Sequence, residues 1–238
     1  MDHWNRAVLT ALFCTLLLSS SLIAAQPAYL LHGGGGPMFM YLGFDVPEID
    51  VKVQELGIPA LGDGMMLYGG GGFAQIVPRF RLGGMGFGGS LSTSGYQSPF
   101  SKEVDIGIGF GGITGEYDLL YLKRFNGYIG TMFGWGGLSI SIHRSQTPAN
   151  WEDIWGDYVQ GTSVENASTD LNGSLLILMP WAGARYFLTS WMAIDGRAGY
   201  FWSKIDGEDW KTNDEKVFNG PDIDLGNFYL QLSLFFGG

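Results

Sequence analysis

The sequence predicts an all-β protein, an eight-stranded antiparallel up-and-down β-barrel with one short helix in its first long loop. Three observations support this fold class. Apolar and polar residues alternate with a period of two through several segments, which indicates strands rather than helices. Glycine contributes 39 of the 238 residues and aromatic residues contribute 15%, a composition that favours β-structure and disfavours helices. Short and long connections also alternate along the chain, as they do in barrels whose neighbouring strands run up and down.

The first 25 residues have the features of a secretory signal peptide. Arg6 supplies the positive region, an apolar run spans residues 7–18, and small residues place cleavage after Ala25. An uncleaved membrane anchor is the alternative, but the run is shorter than the ~20 residues that a spanning helix needs. Residues 26–36 form a glycine-rich lead-in that we expect to be flexible, and residues 37–238 are expected to form a single barrel domain.

The first long loop is predicted to contain a short helix at residues 47–56. Asp45 can cap its first turn, and Pro47 suits the first helical position. Ile49 and Val53 lie at helical spacing, and a glycine follows the last turn. Apolar residues also alternate through this segment, so a strand is the alternative.

The remaining strands are bounded by segments rich in glycine, serine, proline or charge. A glycine pair at 111–112 coincides with a change of alternation in the fourth strand, which predicts a β-bulge there. The predicted strands are 38–44, 65–76, 79–91, 103–122, 128–143, the two arms of a hairpin within 181–202, and 223–236. The predicted long connections are 45–64, 92–102, 144–171 and 205–222. In an up-and-down barrel, these connections would all lie at one end.

The hairpin from Trp181 to Trp202 shows most clearly how the two faces of the barrel wall differ. One face carries apolar and aromatic side chains such as Tyr200, and the other carries Arg185, Asp195 and Arg197. A barrel with lipid outside and a polar interior has two faces of this kind.

Seven charged residues are expected on the inner faces of the strands. Opposite charges can pair across the lumen of an eight-stranded barrel, which is narrow enough for side chains to fill. We expect a packed, charge-paired core, with a narrow polar pathway as the alternative. The seven residues are Arg79, Arg81, Glu116, Asp118, Arg185, Asp195 and Arg197.

The sequence contains no residue set that specifies a reaction, so we expect no enzymatic activity, no cofactor and no metal. Ser141 and His143 project from one face of a strand, but the third partner of an acyl-transfer triad is not evident. The acidic group at 206–215 lacks the ligand spacing of a calcium loop. The net charge of −10 argues against nucleic acid as a partner.

Three aromatic residues in the longest loop are the candidates for contact with a partner. They can form a stacking surface for a sugar or a protein, or they can anchor the loop at a membrane interface. They are Trp151, Trp155 and Tyr158.

The chain resembles small outer-membrane β-barrel proteins of Gram-negative-type bacteria. The resemblance lies in the export signal, in the hairpin sequence GARYFLTSWMAIDGRAGYFW and in the closing strand NFYLQLSLFF. The chain also resembles a group of glycine-rich exported bacterial proteins in the segments FDVPEIDVKVQELGIPAL, MMLYGGGGFAQI and RFRLGGMGFGG. The barrel resemblance implies an outer band in lipid and long loops outside the cell. The chain departs from that class at its end, where two glycines follow the aromatic Phe236.

Three functional hypotheses remain. The first is a non-catalytic outer-membrane barrel with a structural or surface-interaction role, membrane lipid as its partner and self-association as an open question. The second is a secreted glycine-rich β protein that assembles into a cell-surface structure or filament through exposed strand edges. The third is a soluble barrel that binds a small apolar ligand, which the charged inner residues disfavour.

Overall fold

The computed structural model describes residues 32–146 and 167–238. The predicted signal peptide and the loop aromatics Trp151, Trp155 and Tyr158 lie outside the described residues. Among the helices in the described part of the chain, none is long and apolar enough to cross a membrane.

Eight long strands form a closed antiparallel ring, which confirms the predicted fold class. Each strand pairs with its sequence neighbour, and the last strand closes the ring between the seventh and the first. The eight strands are β1 (Gly33–Gly43), β2 (Gly64–Val77), β3 (Phe80–Gln97), β4 (Phe100–Leu122), β5 (Phe125–Gln146), β6 (Ala167–Phe187), β7 (Met192–Ile205) and β11 (Asn227–Gly237). Three two-residue strands between β7 and β11 are β8 (Lys211–Thr212), β9 (Glu215–Lys216) and β10 (Ile223–Asp224).

The two ends of the barrel differ in their connections. At one end, here called the turn end, the strands are joined by residues 78–79, 123–124 and 188–191, and β1 begins there beside the end of β11. The other end, here called the loop end, carries the segments 44–63 and 206–226, and β5 and β6 meet the undescribed segment 147–166 there. Short and long connections therefore sort to opposite ends as predicted, with one exception.

The exception is the connection between β3 and β4, which is a hairpin arm rather than a loop. The predicted loop at 92–102 is wrong, because the two strands stay paired until Gln97 meets Phe100. Ser and Thr residues that are common in loops here alternate as strand residues do. The arm also has a partner to pack on: the Thr93 hydroxyl donates to the carbonyl of Pro59, at 2.9 Å.

The first strand begins earlier than the sequence predicts. Residues 33–36, assigned above to a flexible lead-in, belong to β1 and pair with both neighbouring strands, for example Gly35 with Gly72. A Cβ atom at Gly35 would lie 2.7 Å from the carbonyl oxygen of Gly71, so the close approach of these backbones requires glycine. A run of glycines therefore continues the strand here instead of ending it.

The predicted helix is present as α1 (Pro47–Glu55). Pro47 occupies its first turn, and Ile49 and Val53 are buried against the barrel core. The predicted cap is wrong, because the N-cap is Val46 and makes no side-chain cap bond. The helix lies over the loop end of the lumen, where its apolar face closes the top of the core.

Strand β4 corrects the prediction of a β-bulge at the glycine pair 111–112. Its register with β5 runs without a break past Gly111 and Gly112, and the irregularity falls between Asp118 and Leu120. Inner-facing residues continue in phase from apolar Phe110 through Thr114 to charged Glu116. The change of pattern that predicted a bulge is instead a change in the lumen, from apolar at the loop end to charged at the turn end.

Candidate functional site

The outer face of the barrel wall is apolar and is bounded by aromatic side chains. Along β11 the outward residues are Phe228, Leu230, Leu232, Leu234 and Phe236, and all are at least one-third exposed. Phe228 packs edge-on against Tyr200 of β7 at the loop end, with ring centroids 5.1 Å apart. Phe236 stacks on Trp191 at the turn end, with ring centroids 6.2 Å apart. Aliphatic residues thus fill the middle of the strand, and aromatic pairs mark its two ends.

The inner face at the turn end carries a group of six charged residues, here called the lumen charge cluster. The members come from four strands, and all are almost completely buried. Three are cationic and three are anionic, so the cluster is neutral when every group is ionised. They are Arg81, Glu116, Asp118, Arg185, Asp195 and Arg197. A buried set of this kind is tolerated only when its charges are paired and its hydrogen bonds are made.

Strand register brings the members of the cluster together. Arg81 lies directly opposite Glu116 in the β3–β4 ladder, and Arg185 lies opposite Asp195 in the β6–β7 ladder. Arg197 follows Asp195 on the same inner face of β7. The alternation of inward and outward residues therefore points each charged side chain into the lumen, and the register fixes its position along the barrel axis.

Asp195 is fully buried between two arginines. One carboxylate oxygen accepts from Nε of Arg197 at 2.8 Å, and the other accepts from Nε of Arg185 at 3.0 Å. The hydroxyl of Tyr128 donates to the second oxygen at 2.5 Å. Both oxygens are thus held by donors from three different strands.

Glu116 and Asp118 complete the pairing. The Oε1 atom of Glu116 lies 2.9 Å from Nη2 of Arg197, and its Oε2 atom lies 3.5 Å from Nη2 of Arg185. Arg81 forms an ion pair with Asp118 and lies 3.7 Å from Glu116. Each of the three arginines therefore pairs with two carboxylates. Glu116 is a partner of all three, which makes the cluster one continuous network.

Aromatic rings pack against the arginines of the cluster. The guanidinium carbon of Arg185 lies 4.4 Å from the ring centroid of Phe73 and 4.9 Å from that of Phe235. That of Arg197 lies 5.1 Å from the ring of Trp181. Cations over aromatic faces gain electrostatic stabilisation, and the gain is larger where water is excluded.

The lumen beside the cluster is filled. A cavity of about 10 Å³ lies next to Glu116 and Arg197, with Met85 among its lining residues, which is room for roughly one water molecule. Phe110 packs against Phe87 and Phe201 further along the lumen, with centroids 5.7 and 5.2 Å away. The described lumen is thus a packed core rather than a pathway.

The seventh predicted member of the cluster lies elsewhere. Arg79 is in the turn between β2 and β3, where its φ of 69° is in the left-handed region. Its guanidinium carbon lies 5.7 Å from the ring centroid of Tyr121. The prediction began the strand one residue too early, because Arg79 and Arg81 alternate with apolar residues in the sequence although Arg79 lies in the turn and β3 begins at Phe80.

Sequence reasoning missed the uncharged members of the network. Tyr128 bonds Asp195, while Tyr121 and Asn126 donate to Asp118 at 2.5 and 2.9 Å. A signal for Tyr128 exists in the sequence, since it lies opposite Gly183, where a Cβ atom would approach its ring closely. The ring of Tyr128 occupies the space that Gly183 leaves free on the neighbouring strand β6, and its hydroxyl reaches Asp195 on β7.

Ser141 and His143 do not form a pair in the structure. The Ser141 hydroxyl donates to Asp170 at 2.6 Å, and Nδ1 of His143 lies 3.0 Å from the hydroxyl of Ser168. The nearest carboxylate oxygen to Nε2 of His143 in an ion pair is that of Asp105, at 4.0 Å. That distance is too long for the hydrogen bond that orients a catalytic histidine.

Comparisons with known proteins find similarity among solved structures. No protein-family profile and no curated protein matches the chain. Among solved structures, the outer membrane protein OprG from Pseudomonas aeruginosa aligns with a TM-score of 0.43 and 12% sequence identity. The alignment covers 89% of this chain and 98% of that one. By its own strand order, the chain is a closed eight-stranded antiparallel β-barrel with a packed lumen.

Proposed function

We propose that the protein is a non-catalytic outer-membrane β-barrel with a structural or surface-interaction role. In this proposal a cleaved signal peptide directs export, the outer face contacts lipid, and the loop end faces the outside of the cell. The lumen charge cluster stabilises the barrel, and the loops supply the contact surface.

The observation that carries the proposal is the outer face of β11. From Phe228 to Phe236 the strand advances eight residues, or roughly 27 Å at about 3.4 Å per residue. At a tilt of about 40° this corresponds to a band roughly 20 Å tall, close to the ~25 Å apolar band of known membrane barrels. Aromatic pairs at both ends of the strand match the girdles that such barrels place at the two interfaces.

The difference between the two barrel ends supports the orientation. Turns of two to four residues join the strands at one end, and segments of about twenty residues leave the other, where only β3 and β4 are joined by a short turn among the described connections. Membrane barrels of bacteria keep short turns on the periplasmic side and longer loops outside.

The closed ring disfavours assembly into filaments through strand edges. Each of the eight long strands pairs with a neighbour on both sides in the body of the wall, so unpaired edges are confined to the ends of strands that extend past it, such as residues 89–97 of β3. The packed lumen likewise leaves little room for a ligand in the middle of a soluble barrel.

Substitution of one outward leucine tests the proposal. Leu232 lies at the middle of β11 and is 57% exposed. In lipid, Leu232→Arg places a charge near the bilayer midplane and costs about 2–4 kcal/mol. We expect less heat-modifiable protein in the outer-membrane fraction and a lower unfolding midpoint in vesicles.

Val51→Arg is the matched control, because Val51 is 55% exposed but lies on α1, outside the barrel wall. The proposal requires this variant to behave like the wild type. Equal effects of the two substitutions, or wild-type protein found in the soluble fraction without a heat-dependent shift in mobility, would contradict it.

A further inference from the structure

A second feature lies at the loop end, where an apolar cavity of about 500 Å³ opens between three parts of the fold. Helix α1 forms one side, the inner faces of β5 and β6 form another, and the segment 206–226 forms the third. We call it the mouth cavity, and its apolar lining includes Ile49, Leu56, Ile142, Leu171, Trp210 and Val217. Its volume lies within the range of about 300–1,000 Å³ that small-molecule sites have.

The side of the cavity formed by the 206–226 segment is held by its own hydrogen bonds. The indole N–H of Trp210 donates to the carbonyl of Pro221 at 2.8 Å, and the backbone N–H of Val217 donates to the carbonyl of Trp210 at 2.9 Å. The indole nitrogen is therefore satisfied within the segment, and the ring supplies apolar surface to the cavity.

The helix side is fixed in the same way. The ammonium group of Lys102, on the β3–β4 arm, donates to the carbonyl of Leu56 at the end of α1, at 2.7 Å. The carboxylate of Asp50 accepts from the backbone N–H of Leu61 at 2.8 Å. Both walls are thus formed before any ligand arrives, which lowers the entropic cost of binding.

The cavity leaves apolar side chains incompletely covered. Five partly buried apolar residues pack against the core in the described part of the chain, and four of them line this cavity. The four are Leu56, Ile142, Leu171 and Val217. An apolar group seated here would remove their remaining surface from water, which is favourable in proportion to the area covered.

The rim and its surroundings are negatively charged. Glu48, Lys52 and Glu55 lie at the rim, and Lys52 forms an ion pair with Glu55 at 2.8 Å, so one glutamate exceeds the local positive charge. The segment 44–63 holds five acidic residues and one basic residue, and the segment 206–226 holds seven acidic and two basic. Their combined net charge of −9 raises the local concentration of cations and repels anions.

We propose that the mouth cavity binds a small amphiphile with an apolar body and a cationic head. The body contacts Ile142, Leu171 and Trp210, and the head lies at the rim near Glu48. The inference rests on the proposed function only for access from outside the cell, because the cavity itself belongs to the barrel fold.

Titration with n-octylammonium tests the inference, with n-octanol and octanoate as probes of equal chain length. The full-length barrel is placed in phosphatidylcholine nanodiscs, and binding is followed by calorimetry against empty nanodiscs. We expect saturable binding of octylammonium, at least tenfold tighter than that of octanoate and severalfold tighter than that of octanol.

Two substitutions to tryptophan locate the site. Ile142→Trp fills the cavity and is expected to weaken octylammonium binding at least tenfold, whereas Val51→Trp, on the exposed face of α1, leaves it unchanged. Glu48→Gln is expected to reduce the preference for octylammonium over octanol severalfold and to leave octanol binding unchanged. This last variant keeps the size of the side chain and does not depend on how Ile142→Trp folds.

Three results would overturn the inference: no saturable binding by the wild type, equal binding by the wild type and Ile142→Trp, or octanoate binding as tight as that of octylammonium. Heat-dependent mobility in SDS is measured for every variant to show that the barrel is folded. Should the protein be water-soluble, the proposed membrane function fails, and the same titration without nanodiscs still tests the cavity.

Discussion

Neutralising Asp195 is the sharpest test of the lumen charge cluster. In the variant Asp195→Asn the shape of the side chain is kept and one negative charge is lost. The cluster then holds three arginines against two carboxylates, all nearly or fully buried. Arg185 and Arg197 lose the carboxylate charge that both contact, at 3.0 and 2.8 Å.

The expected cost follows from the charge that is left unpaired. Breaking a buried ion pair by removing one partner destabilises a protein by about 3–5 kcal/mol. This corresponds to a change of roughly 100-fold to 5,000-fold in the unfolding equilibrium constant. With a urea dependence of about 1–3 kcal/mol per molar, the unfolding midpoint should fall by at least about 1 M.

The assay is urea unfolding of the barrel in lipid vesicles, followed by tryptophan fluorescence and by heat-dependent mobility. Asp206→Asn is the matched control, because Asp206 pairs with Lys204 at 2.6 Å and both side chains are more than half exposed. Such an exposed pair contributes about 0–1 kcal/mol. The reasoning is refuted if the two variants lower the midpoint by the same amount.

A double variant distinguishes destabilisation by an unpaired charge from destabilisation by the loss of side-chain contacts. Arg185→Met combined with Asp195→Asn leaves two arginines and two carboxylates in the cluster, so the lumen is neutral again. We expect the double variant to be destabilised by less than the sum of the two single variants, with a coupling energy of about 0.5–3 kcal/mol. Additive effects would show that the two residues do not act as a pair.

Two further predictions concern packing and the helix over the mouth. Gly130→Ala would put a Cβ atom 2.6 Å from the ring of Trp181, so we expect a loss of about 1–3 kcal/mol in urea unfolding. Gly196→Ala, with open space at its Cβ position, should show no comparable loss. Lys102→Met removes the donor to the C-cap carbonyl of α1, so hydrogen exchange of the helix amides should be about tenfold faster. Lys52→Met, on the exposed side of that helix, should leave the exchange rates within about twofold.

The hairpin of β6 and β7 could be predicted from the sequence because its signals agree. Alternation is unbroken on both arms, and only the four residues 188–191 join them, so the inner faces follow from a few residues. The alternation predicts Arg185 and Asp195 on the same face for this reason, and the structure places them directly opposite each other. In such a hairpin the strands that pair are also neighbours in the sequence, so the local pattern predicts the pairing.

Strand β4 was misread because two different causes produce the same pattern. A bulge moves the apolar residues from one face of the strand to the other. A strand without a bulge shows the same sequence pattern when its inner residues change from apolar to charged along its length. Ile108 and Glu116 share the inner face of β4, although one is apolar and the other charged. Only the neighbouring strands reveal which cause applies, because Glu116 is stabilised by arginines from β3, β6 and β7.

The mouth cavity was beyond sequence reasoning for a related reason. Its lining joins a helix near residue 50, strands near residues 140 and 171, and a segment beyond residue 206. No local pattern links these segments, and the third hypothesis placed a small apolar ligand inside a soluble barrel without naming a site. The structure shows that the middle is filled by aromatic rings and that the space lies above them.

The division of the lumen restricts what the proposed site can do. A ligand in the mouth cavity would meet a packed layer that includes Phe110 and Phe201, and beyond it the paired charges of the lumen charge cluster. The network is neutral and every carboxylate contacts an arginine, so passage of a cationic head would require breaking ion pairs that water cannot replace. The arrangement of the lumen therefore favours the proposed binding at the loop end over conduction through the barrel. Under the two proposals, the turn end stabilises the barrel through charge pairing, and the loop end binds a ligand in an apolar cavity with a negatively charged rim.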